Sequence, residues 1–184
     1  STHVKIERTY LNAWQTFMER TEKVPSVIEG MLGQAQVTQN DLMSSLRALN
    51  ATRFQAKELR DKICQRFAGM KDQKCDPQAI VDGAAGLAGC SYEPKKAEKM
   101  RKSILKKLLT PQGKDKVIEQ LSFSQSIELL KALSTPGMAN DSQQMQACVS
   151  SLLDRINSMH FDIIHNELTF NEFEQLYDCY VNLK

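Results

Sequence analysis

The chain has 184 residues, of which 41% are hydrophobic and 25% charged, and its formal net charge is +2. The length fits one domain or two small ones, and the composition is typical of a folded globular protein rather than a disordered chain. No apolar run approaches the roughly 18 residues of a membrane-spanning helix, so we expect no transmembrane segment.

Charge is distributed unevenly along the sequence. Residues 1–50 carry five basic and five acidic side chains, residues 51–116 carry sixteen and eight, and residues 117–184 carry three and nine. A basic middle and an acidic end indicate electrostatic steering toward a partner, with chance segregation of charge as the alternative.

The cysteines are five in number, Cys64, Cys75, Cys90, Cys148 and Cys179, and none forms a Cys-x-x-Cys pair. An odd number without such spacing indicates neither a disulfide framework nor a zinc site. We therefore expect free, mostly buried thiols and a reducing compartment, either cytoplasm or organelle matrix.

Apolar residues recur at helical spacing almost everywhere, and no stretch alternates as a strand would, so the sequence predicts an all-α protein of about nine helices. The first helix is expected from Val4 to Arg20. Pro25 is expected to begin a short second helix that ends near Gly33, because proline favours the first turn. These two helices form a predicted first hairpin, residues 1–36.

Four later positions have the pattern of a helix N-terminus. In three of them Ser or Thr is followed three residues later by an acid or amide, which allows a reciprocal capping box. In the fourth, Asp precedes Pro. The caps are Thr38, Asp76, Ser122 and Thr169, separated by 38, 46 and 47 residues. This spacing is typical of helical-hairpin repeats.

The caps and turns divide the rest of the chain. A second hairpin is expected at residues 37–74, a third at 75–112 and a fourth at 113–160, before a terminal helix within 161–184. The whole is predicted to be one domain of stacked hairpins, a short α-solenoid. An irregular helical bundle is the alternative.

The stretch from Leu121 to Ser134, LSFSQSIELLKALS, resembles the first helix of degenerate helical-hairpin repeats of the heptatricopeptide and octotricopeptide classes. Residues 37–49 and 168–181 share the likeness less well. The resemblance implies an α-solenoid that acts on organellar transcripts or belongs to a ribonucleoprotein assembly. It assigns no base-reading residue.

Basic residues follow one face of the predicted helix from Lys95 to Leu109, while apolar residues cover the opposite face. A second basic stripe lies on the preceding long helix. If the hairpins stack in register, the two stripes merge into one surface. The predicted binding residues are Arg53, Lys57, Arg60, Lys95, Lys99, Lys102 and Lys106, and the basic face is expected to include Lys96 and Lys107 as well.

Such a surface suits an acidic protein or a phosphate backbone, although a solvated lysine face is the alternative. The stripes contain no aromatic residue for base stacking, which favours protein over RNA. The terminal helix has an apolar face that is expected to dock onto a partner, formed by Phe173, Leu176, Tyr177 and Tyr180. The oligomeric state is open.

No motif indicates a reaction. Gly83, Gly86 and Gly89 have the wrong spacing for a phosphate loop and are expected to permit close helix packing instead. His160 and His165 do not share a helix face, so we expect no metal site there. The sequence thus predicts a non-enzymatic scaffold or adaptor without cofactor, with an RNA-binding repeat protein or an accessory subunit of an organellar assembly as the alternative.

Overall fold

The computed structural model describes residues 20–51, 56–89, 95–111, 116–135, 138, 143–159 and 174. Within these ranges the regular structure is entirely helical, and the only β-type pairing is an isolated bridge between Pro111 and Lys116. The eight helices are α1 (residues 20–32), α2 (Gln39–Ala51), α3 (Lys57–Gly69), α4 (Pro77–Ala88), α5 (Lys95–Leu109), α6 (Val117–Gln120), α7 (Phe123–Leu133) and α8 (Gln143–Ser158). The all-α prediction is confirmed.

About nine helices were expected, and the eight observed differ from them in two respects. The short α6 was not predicted, and the expected terminal helix apart from residue 174, like most of the expected helix at 4–20, lies outside the described residues. The predicted start at Pro25 is wrong, because α1 runs through this residue. A proline inside a helix removes one hydrogen bond. Packing of Val24, Met31 and Leu32 against the core offsets that loss.

Two of the predicted capping boxes are present. The Thr38 hydroxyl accepts from the Asp41 N–H at 3.2 Å, and the Asp41 carboxylate accepts from the Thr38 N–H at 2.9 Å. Ser122 and Gln125 exchange the same two bonds at 3.2 and 2.9 Å. Each box satisfies two backbone donors that a helix start leaves unpaired. The sequence therefore located the starts of α2 and α7 correctly.

Asp76 precedes α4 with Pro77 in the first turn, as predicted, but its side chain makes no capping bond. Its carboxylate instead accepts from the Asn40 side-chain amide at 2.7 Å, and its N–H donates to the Asn40 oxygen at 3.2 Å. The start of α4 is thereby fastened to the start of α2 rather than capped by its own residue.

Helix α4 packs against α2, α5 and α7. Helix α3 packs against α5, and α5 packs against α8. Consecutive helices also pack in pairs, α2 with α3, α4 with α5 and α7 with α8. The core is apolar and includes the fully buried Leu42, Leu46, Ile80, Ile104 and Leu152.

The glycines of α4 permit an unusually close approach to α2, as predicted from the sequence. A Cβ atom at Gly86 would lie 2.8 Å from Leu46 Cγ and 3.0 Å from the backbone nitrogen of Arg47. At Gly83 it would lie 2.8 Å from the Met43 side chain. The close-packing interpretation of this segment is confirmed.

One arginine links α2, α4 and α7. The Arg47 guanidinium, on α2, lies 2.6 Å from the Asp82 carboxylate on α4 and 2.7 Å from the Glu128 carboxylate on α7. Its side chain is 41% exposed, so these ion pairs form at the surface. Among the helices in the described ranges, none has the length and apolar character needed to cross a bilayer.

Candidate functional site

The two helices that carry the predicted basic stripes are neighbours. Helix α3 packs directly against α5. The Lys99 ammonium on α5 donates to the carbonyl oxygen of Ala68, in the last turn of α3. A cation at this position pairs with one of the carbonyls that a helix end leaves free. The structure thus places the helices that carry the two stripes next to each other.

Most of the described stripe residues are open to solvent. Lys57, Lys99, Lys102 and Lys106 are exposed, and Arg60 is half-buried. Arg53 lies outside the described residues, as does the side chain of Lys95, the first residue of α5. We call the four exposed lysines and Arg60 the lysine surface.

Two carboxylates reduce the charge of this surface. Glu98 Oε1 lies 2.7 Å from the Lys102 ammonium, one helical turn away, and Asp72 Oδ2 lies 3.8 Å from the Lys106 ammonium. The hydrogen bond from Lys102 lowers the pKa of the Glu98 carboxyl. Both pairs are exposed, so each contributes little to stability and leaves the ammonium groups accessible.

Lys107 does not belong to the exposed face, and in this respect the sequence prediction is wrong. The residue is only 5% exposed, although the helical wheel places it at the edge of the basic arc. Its ammonium donates to the Asp72 carboxylate and to the Gln73 carbonyl, both in the segment between α3 and α4. Because that segment covers the side chain and supplies acceptors, the charge is buried with partners.

The Lys107 contact also affects its partner. The hydrogen bond from the ammonium lowers the pKa of the Asp72 carboxyl, and attraction to Lys106 acts in the same direction. The segment after α3 is therefore fastened to α5 by an ion pair that sequence periodicity alone does not reveal, because the two residues are 35 positions apart.

The described thiols fit a structural role. Cys64, Cys75 and Cys148 are free and buried, while Cys90 and Cys179 lie outside the described residues. Burial raises the pKa of the Cys148 thiol to about 12. Across the described part of the chain, no group of three or more His, Cys, Asp or Glu side chains is placed to hold a metal ion. His160 and His165 lie outside that part.

The predicted docking face of the terminal helix, Phe173, Leu176, Tyr177 and Tyr180, also lies outside the described residues. A feature that the sequence analysis missed is a groove of about 730 Å³ between the end of α1 and the end of α3. Lys62, Arg66 and Lys71 line it. Helical periodicity does not indicate this groove, because its walls come from two separate helices.

No protein-family model, no curated protein and no solved structure matches the chain.

Proposed function

We propose that the protein is a non-enzymatic helical scaffold that binds an acidic protein partner through the lysine surface. The observation that carries this proposal is the contact between α3 and α5, which places exposed lysines of two helices on adjoining elements. Basic surfaces of this kind steer an acidic partner toward the correct face and raise its association rate.

The helix packing favours a short α-solenoid as the framework of this scaffold. First helices of successive pairs contact one another in the order α2, α4, α7, and second helices in the order α3, α5, α8. The starts of α2, α4 and α7 also correspond to the predicted caps Thr38, Asp76 and Ser122. Stacked pairs of this kind form extended surfaces suited to macromolecular partners.

Within the described part of α3 and α5, the lack of exposed aromatic rings favours a protein partner over RNA. Phe67 is the one aromatic residue among the described residues of α3 and α5, and it is buried. Single-stranded nucleic acids are normally bound with their bases stacked on exposed aromatic rings. The lysines and the resemblance to organellar helical-hairpin repeats keep RNA as the second candidate, because phosphate contacts need only cations.

The test compares two variants with equal loss of charge. In the surface variant Lys99, Lys102 and Lys106 are changed to Gln, and in the control variant Lys23, Lys116 and Lys131, exposed residues outside α3 and α5, are changed in the same way. Gln is preferred to Glu because a carboxylate at position 99 would face the Ala68 carbonyl, and one at 106 would face Asp72.

Each variant is used to recover partners from a native extract, with and without nuclease. We expect the wild type and the control variant to recover the same partner proteins with and without nuclease. The surface variant should lose these proteins. Equal recovery by both variants would refute a role for the lysine surface. Loss of all partners on nuclease treatment, together with salt-sensitive binding of a generic single-stranded RNA, would instead favour the RNA candidate.

A further inference from the structure

The groove between α1 and α3 has an apolar wall and a basic rim. The half-buried Leu32 and the buried Val37 lie on the side formed by the end of α1 and the chain that follows it, and half-buried Met70 lies at the end of α3. The rim cations are Lys62, Arg66 and Lys71, and all three are exposed. None of the described lining residues is acidic.

The rim cations are only weakly engaged by the protein itself. The Arg66 guanidinium donates to the Gln34 carbonyl oxygen at 3.4 Å, near the upper limit for a hydrogen bond. The Lys62 ammonium lies 3.6 Å from the Glu29 carboxylate, and both side chains are about 60% exposed. No contact of the Lys71 ammonium is present among the described residues. The rim therefore retains cations that are available to a negatively charged ligand.

The end wall of the groove is held in place by a buried glutamine. Gln39 is 2% exposed, and its side-chain amide donates to the Lys71 carbonyl at 3.3 Å. The side-chain oxygen of Gln39 accepts from the backbone N–H of Gln73 at 3.2 Å. The backbone N–H of Gln39 donates to the side-chain oxygen of Gln73 at 3.0 Å. A wall fixed before binding reduces the ordering cost that a ligand must overcome.

The groove lies close to the lysine surface at the end of α3. Lys99 contacts Ala68, and Lys106 lies 3.8 Å from Asp72, the residue next to Lys71. A partner bound on the lysine surface is therefore within reach of the groove, although the exposed Asp72 carboxylate adjoins Lys71.

We propose that the groove binds an acidic, leucine-bearing segment of the protein partner, an inference that rests on the proposed function. Carboxylates of the segment pair with Arg66 and Lys71, and an apolar side chain packs against Leu32 and Met70. The apolar wall favours a peptide over RNA because a phosphate backbone offers no apolar group, and no aromatic side chain is present among the described lining residues.

The probe is a fluorescein-labelled peptide of twelve residues in which Glu alternates with Leu, and a peptide with Gln in place of Glu serves as the probe control. The groove variant carries Arg66→Gln and Lys71→Gln. A charge-matched control carries Lys23→Gln and Lys131→Gln. Fluorescence anisotropy at an ionic strength of about 0.15 M, where the screening length is short, measures the affinity of each, and the surface variant with Gln at 99, 102 and 106 is measured alongside.

We expect the acidic peptide to bind the wild type and to lose about tenfold in affinity in the groove variant, as is usual when charged contacts are removed. The charge-matched control should change by less than about twofold, since distant surface charges are largely screened. The Gln-containing peptide should not bind. Because Arg66 contacts Gln34, Lys71→Gln alone serves as a second variant, one that removes no contact within the described fold.

Three outcomes would overturn the groove proposal. They are no binding of the acidic peptide to the wild type, equal loss in the groove variant and the charge-matched control, and displacement of the peptide by oligouridylate RNA. If only the surface variant loses the peptide, the groove is wrong but the proposed function stands. If the extract experiment fails while the peptide still depends on Arg66 and Lys71, the groove stands and the lysine surface is wrong.

Discussion

The close contact between α4 and α2 predicts that Gly86→Ala destabilises the protein although alanine is the better helix former. The new methyl group would lie 2.9 Å from Leu46 Cβ and 3.0 Å from the Arg47 backbone nitrogen, and neither atom belongs to a flexible side-chain end. Overpacking of this kind costs about 1–3 kcal/mol, and rigid neighbours place this case near the upper value. Alanine returns about 1 kcal/mol through helix propensity.

The net loss in unfolding free energy is therefore about 2 kcal/mol, or about 4–8 °C in Tm for a chain of this size. Thermal unfolding followed by circular dichroism measures it. Gly30→Ala is the matched control, because this helical glycine has no atom within 4 Å of its Cβ position, and we expect a gain of up to about 1 kcal/mol there.

Gly83→Ala tests the reasoning at a second position of α4. The atoms nearest to its Cβ position are Cγ and Sδ of Met43, a flexible side chain that can shift, so the loss should be smaller than at Gly86. If Gly86→Ala stabilises the protein as much as Gly30→Ala does, the tight approach of α4 to α2 is refuted.

The remaining predictions concern a cap, an ion pair and a thiol. Ser122→Ala should lower the unfolding free energy measured in urea by about 1 kcal/mol, because the Gln125 N–H loses its acceptor. Ser124→Ala, at an exposed position of the same helix, should have almost no effect. Equal effects of the two substitutions would contradict the capping box. Lys107 lowers the pKa of the Asp72 carboxyl below its ordinary value of 3.8, so the pair stabilises the fold above that pH and the stabilisation is lost as the pH falls through the lowered pKa. The stability difference between wild type and Asp72→Asn should accordingly shrink below about pH 4, and a difference independent of pH would argue against the pair. The buried Cys148 thiol has a pKa of about 12, so iodoacetamide at pH 8 should leave it unmodified in the folded protein and modify it after unfolding in urea. Peptide mass mapping measures the modification. Rapid modification of the folded protein would contradict the burial of this thiol.

Features that depend on neighbouring residues were predictable from the sequence. The capping boxes at Thr38 and Ser122 join residues three positions apart. The small residues of α4 also indicated close packing before any helix was placed against it. In each case a short stretch of sequence contains the complete physical cause.

Features that depend on distant residues were not predictable. Lys107 has the position of a surface lysine on the helical wheel, and only the fold brings the segment containing Asp72 over it. The basic groove likewise combines residues near position 35 with residues near position 66, and no sequence period connects them. Pro25 shows the opposite case, in which packing of α1 overrides a strong local signal.

The bridge formed by Arg47 has a consequence for how the protein unfolds. Helices that contact only their immediate neighbours can melt one after another from an end, because each contact is lost separately. Arg47 reaches past α4 to Glu128 on α7, so detaching α7 also removes a contact of α2. Because this ion pair is exposed, the coupling is worth at most about 1 kcal/mol, so detaching α7 should weaken the protection of the α2 amides against deuterium exchange only slightly.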